Sequence, residues 1–270
     1  MELALCLPVR GQLHETKGVH GLLASGFTGK VYIADTLPES DSETFFRKVY
    51  KRRVSYYPLP IETTLIEQLN FLWQKTDADI VAYTHNDVYL YGNWQEQVTA
   101  AFEDERVGFV VALGCRGTLP GGGRLDIMSN MLEAEIHGRR SMTPAFVTHG
   151  DGLFMAFRRK ALEDAGGFST RYLRFHFYDR SICLSVLNAG YLGRYVPISC
   201  HHRSGVTACG NEYQNYVNRI RGVSEGGDAA DHNTNMRLFD EEWAAKLPVM
   251  VDGVTGEFLE GGEWNLKKWR

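Results

Sequence analysis

Short apolar runs alternate along the first 113 residues with stretches whose apolar side chains recur at helical spacing, and this alternation limits the possible folds more than any other feature. Glu2–Val9 reads as a buried first strand broken at Pro8, Lys30–Asp35 as a second and Val54–Leu59 as a third, closed by Pro58 and Pro60. Ile80–Tyr83 and Val107–Leu113 read as further strands. Between them lie a short helix over Val19–Ser25, a helix over Ser42–Arg52 with Ser42 as N-cap, a helix over Glu62–Lys75 that places Leu65, Ile66, Leu69, Leu72 and Trp73 on one face, and a helix from Asn93 to Asp104. Runs apolar at consecutive positions suit strands covered on both faces, so the expected class is α/β, a mostly parallel sheet with helices on both sides and right-handed crossovers. The order of the strands cannot be read from this pattern.

At 270 residues, with 44% hydrophobic and 23% charged residues, the chain can build one large α/β domain or one domain with a small appendage, and it is not composed like a disordered protein. A formal net charge of -4 gives no global attraction to a polyanion, although Phe46–Arg53 could form a local basic patch. Five cysteines without C-x-x-C spacing read as reduced, mostly buried thiols of a cytosolic protein. The N-terminal run LALCLPV lacks a basic leader, and no stretch reaches the roughly 20 apolar residues that cross a bilayer.

The stretch DIVAYTHNDVYL, residues 79–90, joins a doubly buried strand directly to His85, Asn86 and Asp87. Ligands of open α/β sheets bind at the carboxyl ends of parallel strands, which puts this triplet where a substrate would lie. Tyr195–Arg203 reads as a strand ending in His201 and His202; neighbours on a strand face opposite ways, so one of the two can join His85 and Asp87 as a nitrogen and oxygen ligand set for Mn²⁺ or Mg²⁺. Gly114–Gly123 is expected to be a mobile surface loop, and Arg124–Arg140 a helix around Met128, Met131, Leu132 and Ile136. Leu153–Phe157 reads as a strand and Arg159–Ala165 as a helix stopped by glycine. Asp179 falls in the first turn of the next helix, where spacing alone favours a capping role over a catalytic one.

THNDV at 84–88, DGLFMAFRR at 151–159, FHFYD at 175–179, LNAGY at 187–191 and HHRSG at 201–205 occur in the order seen in GT-A-fold glycosyltransferases of the family 2 type, and the set most resembles a bacterial and phage subgroup with a His-any-Asp metal motif. The resemblance runs from about Glu2 to Gly205 and implies a GT-A (Rossmann-like) sheet and inverting, metal-dependent transfer of a hexosyl or pentosyl unit from a nucleotide donor. It makes Asp87 and His202 metal ligands and His85 either a ligand or a group beside the ribose. Asp179 falls where the family carries its catalytic base, and His176 and Tyr178 fall on the acceptor side. Pro8, Val9 and Arg10 resemble the strand end that lines the nucleotide, Asp35 the acid that meets the base, and Asn86, Asp151 and Gly152 the remaining donor edge. A departing diphosphate needs a cation held by hard ligands, and attack at the anomeric carbon needs a base opposite it. The chain departs from the family's pattern at His85, where an acid is usual and which favours Mn²⁺ over Mg²⁺, and at Ser181, where a second acid is usual.

Beyond Gly205 the resemblance ends, dividing the chain into a catalytic domain over 1–205 and an extension over 206–270 that packs on the sheet or serves as an acceptor-side lid. Glu212–Arg221 and Asp231–Lys246 read as helices, Gly222–Ala230 as a linker or lid, Val249–Leu259 as a hairpin and WNLKKWR as a basic aromatic tail. UDP-sugars are the favoured donors and GDP-sugars the alternative; the acceptor is undefined, with a nucleic-acid base among the candidates. A metal-dependent hydrolase or phosphoesterase would also use a His/Asp/His site, and a nucleotide-sugar-binding protein without turnover is the other reading from a different class.

Overall fold

A computed structural model describes residues 1–10, 27–38, 42–131, 138–202, 227–261 and 264. The expected helices over Val19–Ser25 and Glu212–Arg221, the linker up to residue 226 and most of the basic tail lie outside the described residues.

In chain order the strands are β1 (Leu3–Val9), β2 (Val31–Asp35), β3 (Val54–Pro58), β4 (Ile80–Thr84), β5 (Val88–Leu90), β6 (Val107–Val111), β7 (Leu113–Thr118), β8 (Arg124–Ser129), β9 (Arg139–Arg140), β10 (Ala145–Val147), β11 (His149–Gly150), β12 (Phe154–Arg158), β13 (Leu192–Tyr195), β14 (Cys200–His202), β15 (Val249–Val251) and β16 (Phe258–Glu260). The helices are α1 (Ser42–Tyr50), α2 (Leu65–Trp73), α3 (Trp94–Ala101), α4 (Arg159–Ala165), α5 (Tyr178–Asn188) and α6 (Gly227–Trp243).

The central sheet has eight strands in the order β10-β13-β6-β12-β4-β1-β2-β3. Neighbours from β4 through β1 and β2 to β3 are parallel, as are β13 and β6, while β12 runs antiparallel between β4 and β6. Alternation along each strand divides the core in two. Leu3, Leu5, Leu7, Ile80 and Ala82 pack with Phe46 and Tyr50 of α1 and Trp94 and Val98 of α3, whereas Ala4, Cys6, Val81 and Tyr83 pack with Ile66, Leu69 and Leu72 of α2, Leu162 of α4, Ile182 of α5 and Phe239 of α6. The expected doubly covered α/β sheet is present.

Helix α2 starts later than its apolar spacing suggests because Thr64 caps it: the Thr64 hydroxyl accepts from the Glu67 amide at 3.2 Å, and the Glu67 carboxylate accepts from the Thr64 amide at 2.7 Å. Such a box contributes about 1 kcal/mol.

Three expectations fail. Gly114–Gly123 is not a loop: Leu113–Thr118 pairs with β8, β11 and β15, giving a second sheet of order β16-β15-β7-β8-β9, and only Pro120–Gly122 turns. Arg124–Arg140 is not one helix, since Arg124–Ser129 is the strand facing β7 and Met128 pairs with Gly114. Tyr195–Arg203 is likewise two strands, β13 in the central sheet and β14 paired with β5. The expected hairpin at Val249–Leu259 forms between β15 and β16. Cys6, Cys115, Cys183 and Cys200 are free and buried. No helix among the described residues is long and apolar enough to cross a membrane.

Candidate active site

Strand β4 ends at Thr84, whose hydroxyl donates to the Leu153 carbonyl at 3.1 Å, and the His85 amide donates to that same carbonyl at 3.1 Å. Both bonds fix the turn that carries His85, Asn86 and Asp87 between β4 and β5. Strand β14 lies antiparallel to β5 with His202 opposite Val88 and His201 opposite Tyr89. His202 therefore turns towards Asp87, with its Nε2 3.3 Å from Asp87 Oδ1, and its ring centroid is 5.8 Å from that of His85. His201 faces the other way, its ring 5.8 Å from that of Tyr89. One donor atom each from His85, Asp87 and His202 lies within 4.8 Å of the others.

Burial pushes the His85 imidazole below its usual pKa, against the pull of Asp87, so the ring is neutral with a lone pair to offer. Burial alone would raise Asp87, but its bond to His202 and the two nearby imidazoles outweigh that and hold its carboxyl below the usual range. Two imidazoles with an ionised carboxylate are a donor set suited to a borderline divalent cation.

Helix α5 brings the second half of the site. Phe177 precedes it in the left-handed conformation at φ 67° and gives no side-chain cap. Asp179 does not occupy the N-cap position, but its side chain holds a first-turn amide. Its Oδ1 accepts from the Arg180 amide at 2.9 Å, while its Oδ2 reaches across to the Gly152 amide at 3.1 Å. Gly152 can only be glycine here, because a Cβ would stand 2.1 Å from the Tyr178 hydroxyl. That hydroxyl sits 3.2 Å from His85 Nε2. Burial and the neighbouring Asp151 carboxylate push Asp179 above the usual carboxylate range, against the pull of Arg180 and Arg124. Asp151 goes the other way: burial would raise it, yet Arg124, with Nη2 3.1 Å from Asp151 Oδ2, and His85 hold it low.

The other expected residues lie at varying remove. Pro8 and Val9 pair with Ala34 and Asp35 at the carboxyl edge of β1 and β2, and Arg10 follows, half-buried. Asp35 is fully buried and accepts from the Tyr56 hydroxyl at 2.8 Å and the Leu37 amide at 3.0 Å, so its carboxylate is engaged within the fold. His176 is half-buried, with its ring edge-on to His232 at 5.2 Å and its carbonyl accepting from Asn235 at 3.0 Å. Asn86 is half-buried in the turn.

Arg124 and Arg180 went unnoticed in the sequence. Arg124 was hidden by the helical reading of its segment, whereas Arg180 carried a visible signal, a cation following Asp179 in an aromatic stretch. The loop ahead of α5 is held from α6: Asn235, fully buried, accepts from the Leu173 amide at 2.8 Å and donates to the Leu173 carbonyl at 2.7 Å, Arg174 pairs with Asp231, and Glu242 accepts from the Tyr172 hydroxyl at 2.6 Å.

No family model and no curated protein sequence matches the chain. Solved structures do. A structure of GalNAc-T7 with UDP, GalNAc and Mn²⁺ is 13% identical and superposes with a TM-score of 0.61 over 90% of this chain and 57% of that one. The mannosyltransferase PcManGT from Pyrobaculum calidifontis with GDP-Man and Mn²⁺ is also 13% identical, with a TM-score of 0.57 over 89% of this chain and 64% of that one. S. aureus TarS 1–349 in complex with UDP-GlcNAc is 10% identical, with a TM-score of 0.57 over 90% of this chain and 73% of that one. The chain spans less than two thirds of the length of the first two. At such identities the likeness establishes the architecture, that of GT-A glycosyltransferases.

Proposed function

We propose that this chain is an inverting glycosyltransferase of the family 2 type, from the bacterial and phage subgroup with a His-any-Asp motif, moving a hexosyl or pentosyl unit from a nucleotide sugar to an acceptor hydroxyl. The observation that carries the reading is the meeting of His85, Asp87 and His202 at the end of β4, beside the helix that bears Asp179, on a GT-A architecture. The three side chains would hold a divalent cation, Mn²⁺ before Mg²⁺ given two imidazoles; the solved neighbours with Mn²⁺ support that choice. When bound, the cation supplies a positive charge against the leaving diphosphate.

The chain's own groups do the rest. Asp179 is the base: the amides of Gly152 and Arg180 fix both of its oxygens, and its raised pKa makes it a stronger proton acceptor than an ordinary carboxylate. Pro8, Val9 and Arg10 line the nucleotide side, Asp35 meets its base, and Asn86, Asp151 and Gly152 edge the donor sugar. His176 and Tyr178 face the acceptor. UDP-sugars are the favoured donors. In this reading residues 1–205 form the donor-binding and catalytic part, and 206–270 is an extension on the acceptor side, supported by the grip of α6 on the loop before α5. Four buried free thiols suit the reducing cytoplasm, where we place the chain.

Calorimetry with UDP and GDP, with and without Mn²⁺, tests the reading: Mn²⁺-dependent nucleotide binding is expected, and its absence under every condition rejects it. Phosphomonoester hydrolysis without nucleotide affinity would move the site to the phosphoesterase class.

A further inference from the structure

Arg180 is a cation near carboxylates but in direct contact with none among the described residues. Its side chain is half-buried, yet among the described residues its guanidinium makes no hydrogen bond or ion pair, and its Nε is buried with no partner. It lies over the Phe177 ring at 4.6 Å. A guanidinium partly removed from water without a direct partner is costly, and a bound anion would offset that cost.

The surroundings are built to fit it. At Gly122 the φ of 68° favours glycine, and a Cβ there would stand 2.6 Å from Phe177 Cε1 and 2.8 Å from Arg180 Nη1, so the turn between β7 and β8 leaves space for both side chains. The Gly121 amide in that turn is held by the Asp240 carboxylate of α6. Arg124 opens β8 immediately after the turn; its Nη2 is on Asp151, and its Nε is buried with no partner. His149, fully buried, bonds Thr118 Oγ1 through Nδ1 at 2.6 Å and leaves Nε2 without a partner. Burial and the charges of Arg180 and Arg124 hold it neutral.

Position decides which substrate is involved. The Tyr178 hydroxyl meets His85, the next residue Asp179 holds the Gly152 amide, and Arg180 follows on the same helix, while Arg124 pairs with Asp151, the neighbour of Gly152. Asp179 and Asp151 thus connect the metal-ligand cluster with the two arginines. An anion meeting Arg180 would lie beside Asp179, whereas a cation held by His85, Asp87 and His202 would take the donor diphosphate.

We propose that Arg180 and Arg124 form an oxyanion subsite beside Asp179 that takes a phosphate or carboxylate carried by the acceptor. Assigning that anion to the acceptor rests on the glycosyltransferase reading, whereas the existence of the subsite does not.

Inorganic phosphate, titrated calorimetrically into metal-free protein at constant ionic strength, tests the subsite alone. Wild-type protein is expected to bind it, Arg180→Gln to weaken binding by about tenfold or more, and Arg180→Lys to retain part of it, since a charge-assisted bond is lost in the first and a charge kept in the second. Phosphate should also protect Arg180 of the wild-type protein from phenylglyoxal, read by mass spectrometry, which requires no variant to fold. Absence of phosphate binding, or equal binding by a folded Arg180→Gln, overturns the subsite. UDP affinity with Mn²⁺ should be unchanged in Arg180→Gln; a tenfold loss there would assign the anion to the donor and overturn the acceptor part.

Discussion

The Tyr178 hydroxyl lies 3.2 Å from His85 Nε2, while the next residue, Asp179, holds the Gly152 amide. Two consecutive side chains of α5 thus grip the two loops that close the site, one from β4 and one entering β12. Tyr178 is buried, and burial pushes its phenol well above its usual pKa, so the hydroxyl stays protonated across the working pH range. The proposed ligand and the proposed base are set at a fixed spacing by one turn of helix.

If that hydroxyl orients the His85 ring, Tyr178→Phe will weaken Mn²⁺ binding by about 10- to 100-fold, the usual effect of removing a partner of a metal ligand. Free Mn²⁺ measured by electron paramagnetic resonance reads this without any turnover. Unchanged affinity would reduce the contact to packing.

Asp179→Asn retains an oxygen for the Gly152 amide but cannot accept a proton. Transfer should fall by about 10²- to 10⁴-fold while nucleotide and Mn²⁺ affinities hold. Transfer at the wild-type rate would remove Asp179 from the chemistry.

The pH dependence follows from the neighbours of Asp179. Its raised pKa places the acidic limb of the transfer rate above the ordinary carboxylate range, and Asp151→Asn, which removes the adjacent negative charge, should move that limb to lower pH. A limb that stays put or rises would contradict the assignment. The stability sign is the opposite: the folded pKa exceeds the unfolded one, so the Asp179 contribution is fully present below about pH 3.9 and lost as pH rises through the folded value.

Asp87→Asn leaves the turn intact and removes the ionised oxygen. Mn²⁺-dependent UDP binding should drop at least about tenfold, on the scale of one lost charged interaction. Calorimetry at fixed Mn²⁺ checks it, and undiminished metal dependence would exclude Asp87 as a ligand.

Asn235→Ala strips the bonds to Leu173 and His176 from a fully buried position. Each buried group left unsatisfied costs about 1–3 kcal/mol, so a lower urea midpoint is expected. A midpoint within error of wild type would show that water replaces the amide.

The central sheet was legible because β1, β2 and β4 are buried at every position, and that leaves an uninterrupted apolar run. The second sheet was not. LGCRGT of β7 and RLDIMS of β8 carry glycine, arginine and aspartate, and Asp126 even takes φ 48°; only pairing with each other makes them strands. His85 and Asp87 were visible as a polar break at a strand end. The choice between His201 and His202 needed the pairing of β14 with β5, a long-range contact that local spacing does not encode. For the same reason Arg124 could not be connected with Asp151 before β8 was placed.

The grip of α6 on the loop before α5 also sets an order of events. Ribosomes release the proposed metal ligands and base, all complete by His202, well before residues 227–243 that carry Asp231, Asn235, Asp240 and Glu242. A nascent chain therefore holds every proposed catalytic group while the backbone around Leu173 and His176 still lacks its partners. On the proposed reading, the groups of the chemistry thus precede in the chain the helix that fixes the loop beside them.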